Sequence, residues 1–202
     1  MTTRQKLRRG WLGLLVLAYG GFLLWYGGGG HTITAAEGKI LLERVRTSSA
    51  AIEHPEVLAA MARLIAQDNG REFYMINLEH IRPGPEAAKA DRAYARTVLP
   101  ALLKHGSMPV YVGRIQGLLI GQSDADFGRV ALVRYRSLRD FLAIFTDTAM
   151  QAGVDNKFAS LSYTEARATS PVISLLAVRL TAACLFGLAG LAGWIALRNR
   201  PA

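Results

Sequence analysis

Two stretches almost free of charge bracket this chain, and they constrain it more than anything between them. Residues 11–30 carry no charged side chain, and residues 172–197 carry only Arg179. Trp11 to Tyr26 is sixteen strongly apolar residues. As a helix this run is about 24 Å long, and the following glycines can extend it toward the ~30 Å of a hydrocarbon core. Trp11 at one end, with Trp25 and Tyr26 at the other, suit the two interfacial belts where amphipathic rings settle. A cleaved signal peptide shares the basic start and apolar core, but Ile33-Thr34-Ala35 is a poor small-x-small cleavage site, which favours an uncleaved anchor. In the second run Leu180 to Leu197 is eighteen residues without a charge, enough to span alone. Arg179 then lies at the outer interface with its stem snorkelling to the headgroups.

The charge balance follows the same division. The chain carries a formal +9, with Arg4, Lys6, Arg8 and Arg9 ahead of the first run and Arg198 and Arg200 behind the second. All 15 acidic residues fall between Glu37 and Glu165, and the region between the runs keeps only +2. Basic flanks beside apolar runs read as membrane topology, with no phosphate-binding face and no nucleic-acid partner. They place both termini in the cytoplasm and the middle of the chain on the far side. The one cysteine, Cys184, sits inside the second run, so neither an intramolecular disulfide nor a cysteine metal site can form. Small residues Ala183, Gly187, Gly190 and Gly193 recur at three- and four-residue spacing along that run, a stripe on which membrane helices can pack closely.

Between the runs, apolar Ile40, Leu41, Leu42 and Val45 suggest a short helix over 38–49. His54-Pro55-Glu56 starts another, which Asp68-Asn69-Gly70 closes. Phe73 to Ile81 is rich in aromatic and branched residues and ends at Arg82-Pro83-Gly84-Pro85, a strand entering a turn. A long helix over about 86–105 follows, bent or restarted at Pro100 and ended by Gly106. Met108 to Gln116 reads as a second strand, which Leu118–Ile120 either continue or turn into a hairpin return. Arg129 to Arg136 is a third strand. Ser137-Leu138-Arg139-Asp140 resembles a capping box opening a helix, a second short helix covers 148–157, and Leu161 to Ala168 supplies the last strand. The order β-α-β-β-α-β makes an antiparallel four-stranded sheet with helices on one face. The other face asks for cover, most simply a second copy, so a homodimer is expected.

Several strings resemble the dimeric α/β-barrel (ferredoxin-like) superfamily, whose members include antibiotic-biosynthesis monooxygenases, muconolactone isomerases, EthD-like proteins and a large bacterial family known only as a domain of unknown function. The resemblance to that last family covers residues 71–169. It rests on Phe73-Tyr-Met-Ile-Asn77-Leu78, Tyr94 with Val98-Leu99-Pro100, His105-Gly106 before Pro109-Val-Tyr-Val-Gly113, and Val130-Ala-Leu-Val-Arg-Tyr-Arg-Ser137 leading to Phe141. These strings make a fold and carry no chemistry of their own. The expected organisation is a basic cytoplasmic N-terminus (1–10), a transmembrane helix (11–30), a helical linker region (31–70), the α+β domain (71–170), a second transmembrane helix (172–197) and a basic cytoplasmic C-terminus (198–202).

Chemistry-bearing residues are sparse. His31, His54, His80 and His105 form no close pair with one another or with cysteine, so no metal site is expected. Gly27–Gly30 lacks the lysine and the strand-to-helix setting of a phosphate loop, and no nucleophile elbow is present. Asn77 interrupts an apolar strand and needs hydrogen-bond partners if buried. Arg114 and Arg134 likewise stand in apolar strands, so with Asn77, and with Tyr94 and His80 nearby, they are the candidate ligand pocket for a carboxylate or carbonyl compound. The alternative is that both arginines face solvent or make cross-strand pairs, that Tyr94 is core, and that His80 is structural. The expected function is a membrane-anchored module in a bacterial inner membrane, presenting its domain outside the cytoplasm for ligand binding or assembly. Two alternatives stand beside it. One is a cofactor-independent monooxygenase- or isomerase-like enzyme on a small apolar oxygenated compound; the other is an accessory subunit with a membrane-protein partner. No cofactor is implied.

Overall fold

The computed structural model describes residues 3–27, 31–123 and 125–173, together with residues 180, 181, 184, 185, 187, 188, 191, 192 and 195 of the second apolar run. The chain divides into two units, Met1–Ser170 and Pro171–Ala202.

In the first unit, helix α1 (Thr3–Gly27) precedes three short helices, α2 (Ala35–Arg46), α3 (Ser49–Glu53) and α4 (Glu56–Ala66). The remaining elements are β1 (Phe73–Ile81), α5 (Pro85–Lys104), β2 (Met108–Arg114), β3 (Arg129–Tyr135), α6 (Leu138–Phe145), α7 (Thr148–Ser160) and β4 (Leu161–Thr169). The strands form one antiparallel sheet in the order β2-β3-β1-β4, the ferredoxin-like arrangement expected from the order of elements.

Strand alternation decides which face each side chain takes. Phe73, Met75, Asn77 and Glu79 of β1 share a face with their register partners Tyr135, Val133, Ala131 and Arg129 of β3. That face meets the helices. Phe73 stacks on Tyr135 at 5.2 Å between ring centroids, and Phe141 of α6 meets both rings edge-on at 5.6 and 4.8 Å. Such pairs add about 1 kcal/mol each to the area they bury. Tyr74, Ile76, Leu78 and His80 point the other way, beside Arg134, Leu132 and Val130.

Residues 31–70 are bound into the same core, since Ile33, Val45, Ala51 and Met61 are buried within the cluster that holds Phe73 and Phe141. Local chemistry sets their helix starts. The Thr34 hydroxyl accepts from Glu37 N–H, and the Ser48 hydroxyl accepts from Ala51 N–H. Asp68 ties the segment at both ends, its carboxylate accepting from Ile33 N–H at 2.7 Å and from Gly70 N–H at 3.1 Å. The N-cap half of the box expected at α6 is present: the Ser137 hydroxyl accepts from Asp140 N–H at 3.1 Å.

Three local expectations differ from the structure. Pro100 does not restart α5, which runs through it as one helix. It lies on an exposed face, where a carbonyl left without its helical partner is open to water. Leu118–Ile120 neither lengthen β2 nor pair as a hairpin return; they form an exposed turn. Helix α3 is a separate five-residue piece, too short to show a period in the sequence.

Among the described residues, no helix is long and apolar enough to cross a membrane. The two spanning helices expected from the sequence are therefore not part of the described fold. Residues 28–30 of the glycine exit, and Arg179, Ala183, Gly190 and Gly193 of the second run, lie outside the described residues. Those of the second unit that are described are helical between 180 and 195. A Cβ built on Gly187 would meet nothing within 4 Å.

Candidate functional site

The five residues singled out as a ligand pocket do not come together. Asn77 lies on the helix-facing side of β1, where its amide donates to Met75 O at 3.4 Å and Ala131 O at 3.3 Å. Its polar head is thereby turned to the backbone of its own sheet. Tyr94 packs against the hydrophobic core from α5, with Lys157 Nζ 5.8 Å from the centre of its ring. Arg114 is exposed at the end of the edge strand β2, opposite Arg129. Arg134 and His80 occupy the other face of the sheet, near opposite ends.

Near Asn77 the helix-facing side carries a charge network that sequence reading missed. Arg129 donates from Nε to Glu79 at 2.5 Å and from both terminal nitrogens to Asp91 of α5 at 2.9 and 2.7 Å. The bond to Asp91 leads in holding the Arg129 guanidinium above its already high ordinary pKa, against the opposing effect of burial. The network fastens α5 to the sheet and commits the Nε and both terminal nitrogens of Arg129 to carboxylates of its own domain.

Arg134 is the most completely buried large polar side chain among the described residues, at 1% exposure. Its Nε donates to Glu72 at 2.5 Å, its Nη1 to Gly106 O at 3.1 Å, and its Nη2 to Tyr26 O at 2.7 Å. The guanidinium lies 3.7 Å from the centre of the Tyr26 ring, a stacking contact favourable to a desolvated cation. Arg136, next but one along the chain, donates to Trp25 O at 3.4 Å. The last carbonyls of a helix have no partner within the helix, and cations favour that end of its dipole. An arginine of β3 and another just past its end therefore complete the C-terminal end of α1. Trp25 secures it further by donating from its indole to Leu103 O at 2.9 Å.

The same cluster explains Gly106. Its φ is +62°, and a Cβ there would stand 2.2 Å from Trp25 O, so only glycine admits this approach. Asp140 holds Arg136 through two bonds of 2.8 and 2.7 Å and accepts from the Ser137 hydroxyl at 2.7 Å. Burial pushes the Asp140 carboxyl up, but the hydrogen bonds from Arg136 and Ser137 outweigh it and hold its pKa below the ordinary carboxylate value. His105 Nδ1 lies 3.7 Å from the same carboxylate. The clue in the sequence was the pair Arg134 and Arg136 at the end of an apolar strand, with Gly106 closing a helix. Nothing in it pointed to residues 25 and 26 as their target.

A concavity of about 690 Å³ lies at the far end of this face. Leu78, His80, Phe127, Tyr163, Glu165 and Arg167 contribute to its wall, together with the loop at 122–126. Phe127 stacks on Tyr163 at 5.7 Å, and Arg167 pairs with Glu165 at 2.7 Å. Of the five sequence candidates only His80 lines it. Among the described residues, no group of three or more His, Cys, Asp or Glu is placed to hold a metal ion.

No family model matches the chain, and no curated protein matches it. Among solved structures, the RPA0582 protein of unknown function from Rhodopseudomonas palustris is similar to it, with a TM-score of 0.53 at 24% identity over 57% of this chain and 94% of its own. The cofactor-independent oxygenase SnoaB from Streptomyces nogalater aligns with a TM-score of 0.38 at 15% identity, over 52% of this chain and 98% of its own. A dimeric protein of unknown function with a ferredoxin-like fold, from Bacteroides fragilis, gives 0.35 at 13% identity, over 50% and 96%. The last two scores are too low to carry an argument. The first likeness supports the fold alone: this chain contains an α+β domain of the ferredoxin-like kind.

Proposed function

We propose that the chain is a membrane-tethered assembly module, in which the ferredoxin-like domain pairs with a second copy through the uncovered face of its sheet. One observation carries this reading. Ile76, Leu78, Val130 and Leu132 form an apolar patch on that face, left half-buried by the rest of the chain, where the end of α1 covers only the neighbourhood of Arg134. A sheet with one apolar face unpacked gains by pairing, and a two-fold arrangement covers both copies at once. The fully buried Arg134 and the tied Asn77 argue for a scaffold over a catalyst, since the polar groups expected to converge on a ligand stand on opposite faces and bond to the protein itself. The enzyme reading would need its chemistry in the concavity beside His80.

The tether belongs to the same proposal and is supported by sequence. The uncharged residues 11–30, the nearly uncharged residues 172–197 and the basic clusters outside them suit a two-pass chain with both termini in the cytoplasm of a bacterial cell and its domain beyond the inner membrane. A partner protein in the membrane is the further possibility that such a tether allows. Membership of the bacterial domain-of-unknown-function family rests on the strings in residues 71–169 and is part of this reading.

The deciding experiment uses the full chain in mild detergent, with mass measured by light scattering across a dilution series. The expected result is a dimer that dissociates on dilution. A monomer at every concentration would overturn the pairing. Recovery of the chain in the supernatant after detergent-free ultracentrifugation would overturn the tether.

A further inference from the structure

The outer side of α5 changes character along its length. Arg92, Arg96, Leu99, Pro100 and Leu103 recur at three- and four-residue steps, so they share one side of the helix. All five are exposed, with Leu99 and Leu103 each at 43%. The stripe is cationic toward the middle of the helix and apolar at its C-terminal end, where Lys104 adds a further exposed charge. Residues 92–123 contain four basic side chains, Arg92, Arg96, Lys104 and Arg114, and no acidic one. The Trp25 indole donates to Leu103 O at 2.9 Å, so the apolar end of the stripe stands beside the C-terminal end of α1.

We infer that this stripe of α5 rests on an anionic lipid surface, that of the bilayer holding α1. Leu99, Pro100 and Leu103 then lie at the acyl boundary, with Arg96 and Lys104 among the headgroups. This rests on the tether proposed above and gives the domain a second contact with the same membrane. Continuity carries the placement: a bilayer that receives α1 up to Trp25 and Tyr26 ends where Leu103 is held. The dimensions agree. Leu103 is seven residues beyond Arg96, about 10 Å along the helix axis, and interfacial helices bury their apolar faces by about 5–10 Å. Charge points to the same occupant, because basic side chains are drawn to anionic headgroups over a screening length of about 8–10 Å. With no carboxylate in residues 92–123, nothing on this segment opposes that attraction.

The test uses the full chain with Cys184→Ser as background, reconstituted into mixed phosphatidylglycerol and phosphatidylcholine vesicles. An environment-sensitive fluorophore is attached in turn at Leu17→Cys in α1, Leu103→Cys in the stripe and Leu119→Cys, and quenching by nitroxide-bearing lipids is read. Leu119 is 94% exposed and follows the end of β2 that lies away from Arg134, so it serves as the water-facing control. The inference predicts quenching at Leu17→Cys and Leu103→Cys and none at Leu119→Cys. Adding Arg96→Glu/Lys104→Glu should abolish most of the quenching at Leu103→Cys with an unchanged thermal melt, as should vesicles of phosphatidylcholine alone. If Leu17→Cys is quenched and Leu103→Cys is not, the inference is overturned and the tether stands. If Leu17→Cys is not quenched either, the tether itself fails. Equal quenching at Leu103→Cys with and without phosphatidylglycerol, or in the charge-reversed variant, would show that headgroup charge plays no part and the inference is wrong. A blue-shifted probe at Leu103→Cys without lipid quenching would mean that a protein surface covers the stripe, which also overturns it.

Discussion

The two ends of the uncovered sheet face have opposite character. At one end, Arg134 and Arg136 close over the last turn of α1, the Arg134 guanidinium donates to Glu72, Gly106 O and Tyr26 O, and exposure falls to 1%. At the other, three aliphatic side chains stand in water beside an open concavity. The same strand, β3, borders both. The contrast shows how one sheet face can divide its tasks: cations placed against backbone carbonyls fix a neighbour within the chain, and uncovered apolar surface is left for a neighbour outside it.

The sharpest way to break the comparison is at the closed end. Replacing Arg134 by alanine leaves Glu72 and two carbonyls without their donor, and should cost about 3 kcal/mol of unfolding free energy. Denaturant unfolding of the full chain in detergent measures it, and a loss under about 1 kcal/mol would mean that water replaces the guanidinium freely. Gly106→Ala should cost about 2 kcal/mol by forcing a side chain into positive φ and against the Trp25 carbonyl.

A pH titration probes the same end more gently. Because the Asp140 pKa is lowered in the folded chain, its contribution is fully present above the ordinary carboxylate value and is lost as pH falls through the lowered one. Asp140→Asn should remove roughly 1 kcal/mol at neutral pH and flatten the fall in stability as the pH drops below the ordinary carboxylate value, as followed by melting temperature. Equal acid sensitivity in the variant would place the effect elsewhere. The smallest change is expected at the open end. Leu119→Asp alone should alter the stability of the monomer by no more than about 0.5 kcal/mol, because its side chain touches so little of its own domain. A larger loss would show that this loop packs against its own domain.

Much of the fold was legible because strands and helices announce themselves through local patterns. Phe73 to Ile81, the Ser137 cap and the order of elements needed only neighbouring residues to read. The candidate site was legible only in its residue types. Arg134 and Asn77 were rightly noticed as polar groups in apolar strands, yet alternation places them on opposite faces, and a pocket drawing on both was excluded by that geometry. Alternation cannot say what covers a face. The partners of Arg134 lie up to 108 residues away, and the carboxylates around Arg129 come from both its cross-strand neighbour and a helix. No window along the chain contains such information. Pro100 misled for a related reason, since the cost of a missing N–H depends on whether the orphaned carbonyl faces water.

The completion of α1 also has a temporal side. Its final carbonyls accept from side chains 108 and 111 positions later in the chain, and translation runs from the N-terminus. Helix α1 thus remains unfinished at its trailing end until β3 has been synthesised and has found β1. During that interval the end of the helix is free to be held by water or a chaperone, and its orientation becomes fixed only when the sheet closes.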